Sequence, residues 1–429
     1  MNKVCFPIPY SPFPTTFFKL DGTQLWDASR VSIAKYNLFS PEFFANPYSV
    51  LNQMQEEDPV YLFEPQNWWF VMRYSDVLTI LQDTVHFSAS RPEKVASFQT
   101  SDGAWSLLED YVQRVAEFCF FSDAPQYTYL RKIVEQAFLS TIVFKASAIQ
   151  NIVNELLNNI QEKGEMDGCI DFSEPLVCFA IANILGIPKA DWQIFREWAV
   201  ETAKLFDGRQ LTIKQAKYSQ KCSFDLRAYL IEEIKKRYQN PQEDAISLII
   251  SEKNLGKNCL ETVATFCLEM ILQSIIDPVA NGIFTLLNHP NQLEKLKEKP
   301  LLWFNAVEEI LRYQSPTIFT HRLVKEDIQI RGREFKKGQI VFLGLGCANR
   351  DRTIFQQPDC FDITRKDIKY FSFVHGIHQR VGATLACLEM RIALQTLFER
   401  FPKLQIAGNI LWKQESLIFH SPRSLPLAF

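Results

Sequence analysis

The 429-residue sequence has no CxxC pair and no cysteine–histidine spacing that suits zinc. Its ten cysteines are scattered along the chain, and several stand in apolar runs typical of buried helices. Two interpretations stay open: reduced thiols inside an intracellular protein, or a disulfide framework. The scatter favours reduced thiols, because disulfide-rich chains are usually short and extracellular.

An excess of charge of one sign is also missing. Lys and Arg together number 46 against 49 Asp and Glu, and no run of basic residues occurs. Because nucleic-acid-binding proteins usually carry a basic patch, we expect no nucleic-acid partner. Four prolines interrupt the first 22 residues, which therefore do not look like a signal peptide or a membrane anchor. We expect a soluble, cytoplasmic protein with no membrane partner.

What the sequence does contain is a hydrophobic content of 47% arranged mostly with helical spacing. Strand-like alternation occurs at 60–74, around a Pro-Gln-Asn turn, and again at 321–346. Residues 92–122 read as a long connection. The sequence thus predicts a mainly α protein with a small β part. Helices are predicted at 43–56, 126–138, 142–163, 173–186, 190–206, 211–239, 260–288 and 383–401.

Four segments in a fixed order carry the chemistry. In AVEEILRYQSP, Glu309 and Arg312 stand one turn apart on one helix face. The other three are DAPQYTYLRKIVEQAF (123–138), ANRDRTIFQQPDCFDITR (348–365) and FSFVHGIHQRVGATLACLE (371–389).

In this order the segments resemble the cytochrome P-450 superfamily, specifically its soluble bacterial type, from roughly residue 40 to the end. The resemblance implies an N-terminal extension over 1–40 and a single domain over 41–429. Within that domain it implies a mixed α/β start, a helical core and a final helix. Their expected bounds are 126–313 for the helical core, 320–380 for strands and ligand loop, and 381–401 for the last helix.

The resemblance also assigns roles to individual residues. Glu309 and Arg312 match a buried structural pair. Three residues match groups that bind the carboxylates of haem, namely Arg131, Arg322 and His378. Tyr127 stands where the family often has a histidine, and its hydroxyl can still donate a hydrogen bond. Cys360 stands where an arginine usually joins the Glu–Arg pair, so we expect an altered network there.

One departure concerns the iron ligand. The family motif ends FxxGxHxCxG, whereas this chain has FVHGIHQRVG, with Arg380 at the site of the cysteine. Arginine offers only donors and keeps its proton, so it cannot replace the thiolate that favours O–O cleavage. If haem is bound, His375 and His378 are the remaining candidates as metal ligand.

A second departure lies in the long apolar helix, where the family carries a small-Gly-x-acid-Thr segment for oxygen activation. The corresponding residues here include Gln273, which cannot titrate, and Ser274. Pro278 predicts a kink just beyond them. Asp277 shares their helix face and has two interpretations. It either caps the second half of the helix or acts as a pocket carboxylate that pairs with Arg380 or transfers a proton.

Three functions follow from these departures. The main expectation is a haem-free enzyme of specialised metabolism without a cofactor, acting on a hydrophobic, possibly anionic small molecule. It would catalyse a non-redox cyclisation, elimination or isomerisation in a hydrophobic pocket, with Asp277, His378 and Arg380 as catalytic residues. The alternatives are a non-catalytic partner of a biosynthetic enzyme such as a glycosyltransferase, and a haem protein with a substitute or weak axial ligand.

Overall fold

The computed structural model describes residues 19–20, 23–24, 35–89, 123, 126–142, 145–205, 211–252, 259–274, 278–414 and 416–429. The predicted connection at 92–122 and the residue Asp277 lie outside these described residues. Helices predominate and strands are few, so the prediction of a mainly α fold with a small β part is confirmed. The division into an extension of residues 1–40 and one domain of residues 41–429 stays a prediction.

The first elements combine strands with short helices. The hairpin predicted at 60–74 is present, and its turn places Asn67 in the left-handed region, with φ of 55°. The predicted helix over 43–56 is two helices, because Pro47 has no backbone N–H with which to continue the first. The elements are β1 Lys19–Leu20, β2 Thr23–Gln24, α1 Pro41–Ala45, α2 Tyr48–Glu57, β3 Val60–Phe63, β4 Trp68–Val71, α3 Tyr74–Gln82 and β5 Phe87–Ser88.

The middle of the chain is helical where the apolar spacing predicted it. One window, Gly168–Leu185, is long and apolar enough to cross a membrane, but 78% of it is buried within the protein. The longest helix begins with a capping box formed by Thr212 and Gln215. The elements are α4 Gln126–Ile142, α5 Ala146–Gln161, β6 Glu165–Asp167, α6 Glu174–Leu185, α7 Trp192–Lys204, α8 Ile213–Gln239 and α9 Ala245–Ile250.

The apolar helix predicted over 260–288 is present as two helices on either side of residues 275–277. These are α10 Cys259–Ser274 and α11 Pro278–Leu287, with the proline as first residue of the second. Both are lined by buried side chains and belong to the main core. They are followed by α12 Pro290–Glu298 and α13 Trp303–Tyr313.

A five-stranded sheet flanks the helical core in the order β3-β4-β10-β7-β5. The pair β10 and β4 is parallel, and the other neighbours are antiparallel. The remaining elements are β7 Phe319–Val324, β8 Ile328–Ile330, β9 Arg333–Phe335, β10 Ile340–Gly344, α14 Leu345–Ala348, α15 Ala383–Arg400, β11 Gln405–Ile406, β12 Leu411–Trp412, β13 Pro422–Ser424 and β14 Pro426–Ala428.

The last long helix, α15, packs against α5, α11 and α13. Its approach to α11 is close, because a Cβ atom added at Gly282 would lie 2.7 Å from Cδ1 of Leu394. The helix is therefore firmly held, and the loop that precedes it has a fixed end.

His420 connects the C-terminal tail to the rest of the fold. Its Nε2 lies 3.1 Å from the carbonyl oxygen of Phe44 and its Nδ1 lies 3.3 Å from Nε2 of Gln314. The ring stacks on Trp412 with centroids 4.5 Å apart. Burial, aided by the nearby charge of Arg350, lowers the pKa of His420 to about 4. The folded protein thus holds a neutral imidazole at this position.

This lowered pKa predicts a loss of stability in mild acid. The unfolded chain takes up the proton near its ordinary value of about 6.5, and the folded chain only near pH 4, so stability falls as the pH falls through that window. Between pH 7 and pH 5 we expect a loss of about 2 kcal/mol from this residue. Urea unfolding at both pH values measures it, and His420→Gln should reduce the pH dependence by that amount. Equal pH dependence of variant and wild type would contradict the prediction.

Candidate functional site

The buried pair predicted from the ExxR pattern is formed on α13. Nε of Arg312 donates to Oε2 of Glu309 at 2.7 Å, and Nη2 donates to Oε1 at 2.8 Å, with both side chains wholly buried. Nη1 donates to the carbonyl oxygens of Asn349 at 3.0 Å and Pro358 at 2.8 Å. The pair therefore joins α13 to the segment that follows α14.

A second arginine, not predicted from the sequence, completes this network. Nε of Arg365 lies 3.2 Å from both carboxylate oxygens of Glu309. The expectation that Cys360 leaves the network altered is wrong, because Arg365 supplies the arginine from five residues further on. Cys360 contributes its carbonyl oxygen, which accepts from Arg312 and Arg365. The signal was present in the sequence as the FDITR segment, which ends on this arginine.

The loop over residues 371–382, called the 371–382 loop below, is tied to this framework. The backbone N of Phe371 donates to Oδ1 of Asn349, and Oγ of Ser372 donates to the carbonyl oxygen of Leu311. Gly376 has a φ of 76°, and a Cβ atom there would lie 3.2 Å from the carbonyl oxygen of Leu81. This close approach to the end of α3 explains the glycine in the motif.

Arg380 closes the loop just before α15. Its backbone N donates to the carbonyl oxygen of Phe373 at 2.9 Å. Its guanidinium carbon lies 5.5 Å from the ring centroid of Phe419, and burial lowers the pKa of Arg380 to about 10. Among the described residues, Nε has no hydrogen-bond partner and no carboxylate lies within 4.0 Å of the guanidinium. At neutral pH the site therefore holds a desolvated cation that offers donors only.

Of the residues predicted to bind haem carboxylates, the structure brings Arg131 and His378 to the same loop. Nη1 of Arg131 donates to the carbonyl oxygen of Ile377 at 3.3 Å and also to that of Gln379. Tyr127 lies one turn earlier on α4. Arg322 is buried on β7, opposite Val341 of β10.

The remaining predicted residues are located as follows. Gln273 and Ser274 are the last two residues of α10. The pairing of Asp277 with Arg380 cannot be placed, since Asp277 lies outside the described residues. His375 is exposed, with its ring centroid 5.9 Å from that of Phe371.

No cysteine occurs between Cys360 and Cys387. Cys387 lies on α15, not in the loop, with Sγ 3.9 Å from Oε1 of Glu308 and 4.0 Å from the hydroxyl of Tyr370. Burial raises the pKa of Cys387 to about 12, so it is a thiol at neutral pH and not a thiolate.

Three features together define a class of haem-binding enzymes. They are a helical core around a central apolar helix, a buried Glu–Arg–Arg network, and a glycine-containing loop before the last helix. The family model for cytochrome P450 matches residues 285–416, which include the network and the loop. The chain is also 35% identical over 398 residues to the biotin biosynthesis cytochrome P450 of Bacillus subtilis (strain 168), covering 91% of this chain and 98% of that protein. The chain belongs to the cytochrome P450 family.

Two further comparisons agree. A polyketide biosynthesis cytochrome P450, PksS of Bacillus subtilis (strain 168), is 31% identical over 402 residues, covering 90% of this chain and 96% of that protein. The crystal structure of P450BioI in complex with hexadec-9Z-enoic acid ligated acyl carrier protein matches with a TM-score of 0.81 and 34% identity. It covers 91% of this chain and 99% of that chain. The relatives act in biosynthesis, in agreement with the expected role in specialised metabolism.

The expectation that the chain has no cofactor is wrong. Its relatives and structural neighbours are haem-binding P450s, and this family membership points to haem. The guanidinium groups of Arg131 and Arg322 and the imidazole of His378 can donate hydrogen bonds that suit the carboxylates of that group. The donor set at Arg380 does not suit a thiolate-bound iron, since guanidinium has no lone pair to offer. The chemistry of these donors is therefore compatible with the carboxylates of haem, whereas the chemistry of Arg380 is not compatible with binding its iron.

Proposed function

We propose that this chain is a haem-binding member of the family whose iron is not held by a cysteine thiolate. The observation that carries this proposal is Arg380, two residues beyond His378 in FVHGIHQRVG. The nearest cysteines offer no substitute, because Cys360 lies beside the Glu309 network and Cys387 is a protonated thiol on α15. A substitute ligand would have to be an imidazole of the same loop, His375 or His378.

When bound, haem supplies a redox-active and Lewis-acidic iron. Arg131 and Arg322 would hold its carboxylates through charge-assisted hydrogen bonds, joined by His378 if His375 is the iron ligand. Arg380 adds positive charge where the family has a thiolate that donates electron density. The chain therefore lacks the group that favours O–O cleavage, and we propose that it is not a competent monooxygenase.

The residues of the central helix also argue against oxygen activation. The last turn of α10 carries Gln273, whose amide does not titrate and so cannot act as an acid or base near neutral pH, and the bulky residues before it include no glycine that could open the helix. We propose a non-redox conversion of the substrate, namely a cyclisation, elimination or isomerisation. Asp277 would move the proton.

The substrate proposal follows from the relatives. P450BioI is described with an acyl chain presented by an acyl carrier protein. We propose that this chain likewise takes a hydrophobic acyl substrate from a small carrier protein, within the cytoplasm. Identity of 34% over nearly the whole chain supports the transfer of this class of substrate, while the chain length is left to experiment.

Haem titration tests the proposal. Purified protein titrated with haem is expected to bind one haem per chain, and its reduced carbon monoxide complex should lack the long-wavelength Soret band of thiolate ligation. Arg131→Met should weaken haem binding by about ten-fold through loss of a charge-assisted contact, whereas the exposed neighbour Lys132→Met should not. Absence of saturable haem binding would overturn the proposal, and a thiolate band in the wild type would overturn its ligand assignment.

A further inference from the structure

The outer side of α8 carries a row of lysines in its N-terminal half. Lys214, Lys217 and Lys221 follow one another at spacings of three and four residues, so they share one helix face, and all are exposed. Tyr218 and Phe224 lie on the same side with 46% and 37% of their surface exposed. These five residues are called the α8 lysine face.

Positive charge at this end of the helix opposes the helix dipole. The N-terminus of a helix carries about half a positive charge and normally attracts acidic residues, but the first turn of α8 has no acidic residue. Lys214 and Lys217 form no ion pair with any described residue, and Lys221 pairs with Asp225 at 2.5 Å. Only Lys214 lies in the first turn, so it alone opposes the dipole directly and makes no contribution to helix stability that would explain its place there.

The C-terminal half of α8 is different. There Lys235 pairs with Glu232 at 2.7 Å and Lys236 pairs with Glu233 at 2.6 Å. Lys235 and Lys236 are thus paired, as is Lys221, whereas Lys214 and Lys217 have no acidic partner among the described residues. The unpaired positive charge of the α8 lysine face is therefore that of Lys214 and Lys217.

The opposite side of α8 packs onto the helix that carries the former oxygen-activation positions. Nη2 of Arg227 donates to Oε2 of Glu261 at 2.6 Å, and its Nη1 donates to Oγ1 of Thr265 at 3.2 Å, both on α10. The α8 lysine face is therefore the outer surface of the layer that covers the central helix. A protein bound there would lie on the side of α8 that faces away from α10.

We propose that the α8 lysine face docks an acidic helix of the carrier protein that presents the substrate, an inference that rests on the carrier-borne substrate proposed above. Lys214 and Lys221 are separated by two helical turns, roughly 10 Å, which matches carboxylates spaced two turns apart on a partner helix. The exposed rings supply apolar contact within the charged surface, as aromatic residues do at protein interfaces. The hydroxyl of Tyr218 donates to Glu197, which fixes that ring in place.

Calorimetric titration with an acyl carrier protein carrying hexadec-9Z-enoic acid tests this surface. The double variant Lys214→Glu/Lys217→Glu is expected to bind at least about ten-fold more weakly, and wild-type binding should weaken as salt rises. The control Lys235→Glu/Lys297→Glu changes two exposed lysines by the same net charge and should leave the affinity unchanged. Both positions are exposed and a glutamate at 214 lies in the first turn of the helix, so the test variant is expected to stay folded, which circular dichroism checks.

The outcomes separate the two proposals. Unchanged affinity of Lys214→Glu/Lys217→Glu, with tight wild-type binding, overturns the docking face and leaves the carrier-borne substrate in place. Wild-type protein that binds neither the loaded carrier protein nor free hexadec-9Z-enoic acid overturns the proposed substrate class. A third outcome is that the wild type binds vesicles of anionic lipid but not the carrier protein, and that the same double variant no longer binds the vesicles. That outcome overturns the protein partner in favour of a membrane surface.

Discussion

Arg380→Cys is expected to give the haem-bound chain the long-wavelength Soret band of a thiolate-ligated carbon monoxide complex, which the wild type should lack. The backbone at this position is already held, because its N–H bonds the carbonyl oxygen of Phe373 and its carbonyl oxygen accepts from Ala383 at the start of α15. A cysteine at this helix N-terminus would have its thiol pKa lowered, which favours the thiolate. It is also smaller than arginine, so it fits without displacing its neighbours.

Arg380→Ala is the matched control for this experiment. It removes the guanidinium without adding a ligand, so it should bind haem and still lack the thiolate band. Identical spectra of the cysteine and alanine variants would contradict the assignment of residue 380 as the axial position. The cysteine variant should not regain efficient oxygenase activity, because Gln273 at the end of α10 still provides no acid.

The helical part of the fold was predictable because its signals are local. Apolar spacing alone located α15 to within one residue, as Ala383–Arg400 against 383–401. Proline placed the break before α11. The prediction of one helix over 43–56 is wrong for the same kind of local reason, because Pro47 separates two helices there. The register and order of the strands could not be predicted in this way, because they depend on partners far apart in sequence. The sheet pairs β4 with β10, which lie roughly 270 residues apart.

The site was less predictable because its contacts are long-range. Nothing in the local sequence shows that Arg131 bonds the carbonyl oxygens of the 371–382 loop, or that Arg380 lies against Phe419. The cofactor error has a related cause. Arg380 bears on how iron is ligated, whereas haem is also held through its carboxylates, by residues on other elements. Loss of one set of contacts does not remove the other.

Glu309→Gln is expected to destabilise the protein by about 3–5 kcal/mol, because it removes one partner from a wholly buried ion pair. The carboxylate accepts from Arg312 at 2.7 and 2.8 Å, from Arg365 at 3.2 Å, and from the backbone N of Asp362 at 3.0 Å. Glutamine has nearly the same shape but no charge, so two guanidinium groups would lose their counter-ion. Urea unfolding at pH 7, followed by circular dichroism, measures the loss.

Glu308→Gln provides the control, as the same substitution one residue earlier on α13. Glu308 is partly buried, and burial raises the pKa of its carboxyl, so removing its charge should change stability by less than about 1 kcal/mol. If Glu309→Gln does not fold, Arg365→Lys provides a milder test. It keeps the positive charge but removes the planar guanidinium group that contacts both oxygens of Glu309, so it should still lower stability measurably. Equal stability of the Glu309 and Glu308 variants would contradict the role given to the network. The expected damage extends to the haem site, because Arg312 holds Asn349, and Asn349 holds Phe371 at the start of the 371–382 loop.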